Sequence, residues 1–230
     1  METETLTIKF DGQGHQVDVQ TFVYSVVNFA TVVKEANRKN GGQPISINVK
    51  APEKGSLLID LVATTVNNQT LLNGLTMLAG TIAIVGGLYK FHKFISGKKV
   101  KETKTEKAQT TIFLDDGSTL TIAENIYNTY ISTPAISDSI SQNFSALTED
   151  PAVTNFEVIQ NGTEKIIEVG KQDFGRMSIK QQIDIENSRV TTESAICQSL
   201  SLVYRRLGLF KKLFVNSNGG TLPMLVCNLS

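Results

Sequence analysis

Tryptophan is absent from this 230-residue chain, and histidine and cysteine occur only twice each. Each scarcity removes a class of function. Without Trp, and with no aromatic ladder beside its basic residues, the chain lacks a platform for stacking nucleic-acid bases. His15 and His92 stand at no ligand spacing with a Cys or a carboxylate, so no metal centre is expected. Cys197 and Cys227 are too few for a disulfide framework and are expected as reduced, partly buried thiols in a reducing compartment. The start, Met1-Glu2-Thr3-Glu4, is acidic where a secretory signal needs a basic end and an apolar run, so no signal peptide is expected.

Motifs that carry a reaction are missing as well. Gly97-Lys98-Lys99 lacks both the upstream glycine and the hydroxyl residue of a phosphate-binding loop, and no dinucleotide fingerprint occurs. There is no Gly-x-Ser-x-Gly elbow, and Cys197 has no His partner at a recognisable spacing. Asp115-Asp116 precedes Gly117 and reads as turn chemistry rather than an acid/base pair. An enzyme is not expected, and no cofactor is implied.

What the chain does have is an uneven charge. The formal net charge is zero, yet residues 90–107 hold seven Lys against two Glu. Residues 108–195 then hold thirteen acidic side chains against five basic ones, and residues 196–230 hold four basic side chains and no acid. Such asymmetry points to a charged partner or surface.

The patterning predicts an α+β fold of two similar strand-helix-hairpin units. Residues 1–66 form the first: an alternating strand through Leu6-Phe10 into Asp11-Gly12, a helix over Asp18–Asn37 with Asp18 as N-cap, and a hairpin of Ile45–Val49 and Leu57–Val62. Residues 108–175 form the second: Thr111–Leu114 into Asp116-Gly117, a helical region from Glu124, and a helix opened by Thr133-Pro134. A hairpin over 156–169, turning at Asn161-Gly162, closes that unit. The shared order reads as an internal repeat. Residues 176–230 add an extension, with a strand over Met177–Ile185 and an amphipathic helix through Ile196, Leu200, Val203, Leu207, Phe210 and Phe214.

Residues 67–107 are an insert between the units. No charged side chain occurs from Leu61 through Tyr89, and Leu71–Tyr89 is long and apolar enough to suggest a membrane segment of roughly 20 residues. Directly after the run come Lys90, Lys93, Lys98, Lys99 and Lys101, with Tyr89 and Phe91 at the boundary, which resembles an interfacial flank ready to meet lipid headgroups or phosphate. Arg205, Arg206, Lys211 and Lys212 are a second candidate for the same role. Ala79, Ala83 and Gly87 fall at i, i+4 and i+8, and with Gly80 they suggest a small-residue face for self-packing. The plainer reading is a buried core helix.

The two-unit pattern and a single crossing conflict, because one pseudo-symmetric body must lie on one side of a bilayer. The repeat is coincidental, the segment re-enters without crossing, or it is held out of lipid until triggered. The third option, in an oligomer, accommodates both observations.

The soluble α+β body interrupted by Leu71–Lys101 resembles small bacterial membrane effectors, in outline the channel-forming or membrane-disrupting effectors of antiviral defence. The resemblance implies a homo-oligomer, a membrane lipid partner, a nucleotide or oligonucleotide ligand, and a place at the cytoplasmic face of the inner membrane or in the cytoplasm until triggered. The expected function is therefore an oligomeric membrane-acting effector, pore- or channel-forming, with the soluble units controlling the apolar helix. The alternative is a soluble oligomeric scaffold or adaptor with that helix as its assembly core.

Overall fold

A computed structural model describes residues 4–12, 16–49, 58–65 and 71–181, all within one compact unit, Met1–Asp184. The fold is mixed α+β, with two antiparallel sheets and five helices among the described residues. In chain order the elements are β1 (Glu4–Gly12), α1 (Val19–Lys39), β2 (Ile45–Val49), β3 (Leu58–Thr65), α2 (Leu71–Ile95), β4 (Val100–Glu106), β5 (Gln109–Leu114), β6 (Thr119–Ala123), α3 (Glu124–Ile131), α4 (Pro134–Glu149), β7 (Val153–Gln160), β8 (Glu164–Gly170) and α5 (Lys171–Met177).

The larger sheet runs β2-β3-β1-β7-β8. Its centre is β1, whose alternation sends Leu6, Ile8 and Phe10 into the core and Thr7 and Lys9 to the other face. Leu6 lies opposite Leu61 of β3, and Ile8 and Phe10 lie opposite Val158 and Phe156 of β7. Over this inner face an aromatic chain links the layers. Phe10 meets Phe156 at 5.8 Å between centroids, Phe156 meets Phe144 of α4 at 5.8 Å, and Phe144 meets Tyr89 of α2 at 6.2 Å. Tyr89 in turn meets Phe29 of α1 at 6.2 Å.

A helix followed by a hairpin occurs twice, as α1-β2-β3 and α4-β7-β8, but the two expected units do not share the rest of their order. The strand Thr111–Leu114 lies in β5, which pairs with β4 and β6 in a separate three-stranded sheet. Beside β1 stand the second strand of one hairpin, β3, and the first strand of the other, β7. The two hairpins are therefore not interchangeable by rotation.

The lysine-rich flank divides: Lys90 and Lys93 belong to the last turns of α2, Lys98 and Lys99 to the connection after it, and the remainder is a strand, β4, running antiparallel to β5 from Glu106↔Gln109 to Val100↔Leu114. The expected strand from Met177 is likewise corrected, since Met177 ends α5 and its buried side chain joins the core. Residues 182–185 of that strand, and the whole segment through Ile196–Phe214 with Arg205, Arg206, Lys211 and Lys212, lie outside the described residues.

Among the described residues no helix is long and apolar enough to cross a membrane. Within α2 the side chains are described from Gly80 onward, and they form the core: Ile82, Ile84, Val85, Leu88, Tyr89, Phe91 and Ile95 are buried. A helix packed by α1, α3, α4, α5, β1, β6 and β8 must be apolar on most sides. That packing accounts for the apolar residues from Ile82 to Tyr89 without requiring lipid.

Candidate interaction surface

The small residues expected to mediate self-packing separate in the structure. Gly80 and Ala83 are exposed, while Gly87 faces inward, where an added Cβ would collide with Ile126 Cδ1 of α3. Gly87 thus allows close approach within the protomer. The side chain of Ala79 lies outside the described residues.

The candidate headgroup lysines also divide. Lys93 pairs with Asp173 at 2.8 Å and Lys98 with Asp116 at 2.9 Å, whereas Lys90 and Lys99 are exposed. The Asp116 carboxyl is held well below its usual range by hydrogen bonds from Ser118 and Lys98. Two of these four lysines therefore already have carboxylate partners.

Two polar clusters satisfy themselves. On the face of the larger sheet opposite Leu6, Ile8 and Phe10, buried Glu157 takes Lys165 at 2.7 Å and Lys9 at 3.3 Å, and Lys9 also reaches Asp11 at 2.9 Å. Burial alone would raise the Glu157 carboxyl, but the two lysines outweigh it and hold the group down. Inside the protein, His92 Nε2 lies 2.9 Å from the carbonyl oxygen of Met177 and Nδ1 lies 2.6 Å from the Tyr130 hydroxyl. A carbonyl only accepts, so Nε2 carries the proton and Nδ1 accepts from Tyr130. Burial holds His92 neutral, its pKa lowered to about 4. This imidazole ties α2 to α3 and to the end of α5, and the histidine fits a structural pin. Among the described residues no group of His, Cys, Asp or Glu could hold a metal ion.

The unsatisfied surface is on α1. Asp18 starts the helix, its Oδ1 accepting from the Gln20 amide at 2.7 Å and the Thr21 amide at 3.4 Å. At the other end Gly41, at φ +73°, turns the chain out, and the Gly42 amide reaches the Asn37 carbonyl at 2.9 Å. The helix is rich in Val and Thr, which favour helix weakly, so it depends on packing. Its buried side includes Phe29, Val32, Val33 and Ala36, but also Thr21, Ser25, Asn28 and Asn37.

Three of these polar groups find partners: Thr21 donates to the Ala146 carbonyl, Asn28 to the Tyr24 carbonyl and Asn37 to the Gln43 carbonyl. The outer side is the reverse. Val19, Val23, Tyr24 and Val27 are 70, 49, 52 and 57% exposed.

An exposed apolar stripe on a surface helix, in addition to an ordinary buried apolar face, is a departure from the usual amphipathic arrangement. The sequence did contain a signal for it. Val19, Val23 and Val27 recur every four residues, and no charged residue occurs from Val19 to Val33. Phe29 and Val33 mark the inward side of the helix, and the valine stripe runs along the outer one. Comparisons with protein-family models, with curated proteins and with solved structures find no match.

Proposed function

We propose that the protein is a non-catalytic scaffold or adaptor whose working surface is the outer face of α1. The exposed Val19-Val23-Tyr24-Val27 stripe carries this reading, because water contact with such a stripe is unfavourable until a partner covers it. The burial of α2 from Ile82 to Ile95 supports it, since the most apolar helix already has its partners inside the protomer. In this reading α2 is the core on which the docking helix rests.

A second reading, the membrane-acting effector, is favoured by one observation: Leu71–Ile95 contains no acidic residue and is uncharged until Lys90. It requires α2 to leave the core and enter lipid, and the membrane, nucleotide or oligonucleotide partners and the inner-membrane location belong to it. Dye leakage from anionic liposomes, followed with the wild type and with Ala83→Leu, separates the two. Ala83 is exposed, so the substitution leaves the core intact. The scaffold reading expects no leakage from either protein. Leakage by the wild type that Ala83→Leu abolishes would sink it in favour of an assembled pore.

A further inference from the structure

The α1 stripe can be carried one step further, to the identity of what covers it; this step rests on the assembly reading above. Charge along the surface of α1 is polarised. At its N-terminal end stands exposed Asp18, and the C-terminal end of α4 lies alongside, because Asp150 Oδ2 accepts from the Asp18 amide at 2.9 Å and the Ala146 carbonyl accepts from Thr21. That brings exposed Glu149 to the same end. At the C-terminal end stand exposed Lys34, Arg38 and Lys39, with Glu35 bonded to Arg38. Between the two ends lies the uncharged stretch Val19–Val33.

A surface that is acidic at one end, apolar in the middle and basic at the other complements itself when turned end for end. We propose that two copies of the chain dock through α1 in antiparallel about a two-fold axis midway between Val23 and Val27 on the exposed stripe, with Val23 of one copy facing Val27 of the other. The same register sets Val19 against Thr31 and brings Lys34 toward Asp18 and Glu149 across the axis. An isologous contact of this kind needs only one patch. Antiparallel helices also set opposite ends of their dipoles side by side, whereas a parallel pair would stack acid on acid and base on base. Residues spaced by four on both helices match the commonest ridge-into-groove packing.

The stripe presents four exposed apolar side chains, against roughly 20–30 residues a side in a standard stable interface, so the dimer is expected to be roughly micromolar and reversible.

Sedimentation equilibrium of the full chain tests this, with Cys197→Ser and Cys227→Ser introduced to exclude disulfide cross-links. Loaded from about 1 to about 200 µM, it should fit a monomer–dimer equilibrium. Val23→Glu and Val27→Glu should each weaken association by about tenfold or more while leaving the melting temperature within about 2 °C. Lys34→Glu should weaken it as well, and adding Glu149→Lys in the same chain should restore it, a pattern that only this antiparallel arrangement of like chains predicts.

A protein monomeric at the highest concentration, a dimer indifferent to Val23→Glu, or a charge reversal that fails to restore would overturn the proposal. Monomeric protein that instead binds anionic vesicles without leakage would overturn self-docking and leave the scaffold reading standing with another partner. Leakage in the liposome assay would remove that reading itself.

Discussion

α1 and α2 pack against each other and both bury apolar side chains, yet only α1 also leaves an apolar stripe exposed among the described residues. α2 turns Ile82, Val85, Leu88 and Phe91 inward and leaves Gly80 and Ala83 outside. α1 turns Thr21, Ser25, Asn28 and Asn37 inward and leaves Val19, Val23, Tyr24 and Val27 outside. From Gly80 onward the more hydrophobic helix exposes no large apolar side chain, whereas the more polar one exposes four. Total hydrophobicity measures how much of a helix is buried somewhere, whereas the position of each residue decides which surface remains to be covered.

The contrast can be broken at several points. Leu88→Ala in α2 removes a fully buried side chain and should cost about 2–5 kcal/mol in urea denaturation. A cost under about 1 kcal/mol would mean that α2 is not in the core.

Acid should act on the same helix. Because the folded pKa of His92 is depressed to about 4 from 6.5, the unfolded chain binds more protons between those values. The stability from the neutral imidazole is complete above about pH 6.5 and lost as pH falls to 4, a share of about 3 kcal/mol. Denaturation from pH 7 to 4 should therefore show a shallower slope in His92→Gln than in the wild type, even though that variant is weaker at neutral pH. Equal slopes would place the imidazole in water.

Gly87→Leu should cost about 1–3 kcal/mol by driving a side chain into Ile126, read as a lowered urea midpoint. Asp18→Ala should cost about 1 kcal/mol through loss of the cap on α1. The smallest effect is expected on the outer face: Val27→Gln should change stability by under about 0.5 kcal/mol while weakening association. Were it to destabilise like Leu88→Ala, the stripe would be core after all.

Local chemistry was legible in the sequence wherever a residue type has one dominant backbone use. Asp18 caps α1, Pro134 opens α4, and Asn161 and Gly162, at φ +48° and +72°, turn the β7–β8 hairpin. Capping held less well at Thr133, whose side chain makes no cap bond. The burial of α2 was not legible, because a core helix packed on most sides and a lipid-exposed helix call for the same composition.

Strand β4 escaped notice because Val100-Lys101-Glu102-Thr103-Lys104 offers no apolar alternation; it sits at a sheet edge where charge is favoured. The α1 surface was half legible. Its spacing was readable, but which of two stripes faces the core depends on packing against α4, which the sequence does not print.

The central position of β1 also sets a schedule. Phe10 completes its cross-strand pair with Phe156, so nearly the whole described chain must be made before the middle of the sheet can close. At roughly 5–20 residues per second, a nascent chain spends several seconds with β1 bare along that edge and the apolar residues of α2 without their later partners on α3, α4 and α5. Much of the chain's exposure to aggregation, and its call on chaperones, falls in that interval at the ribosome.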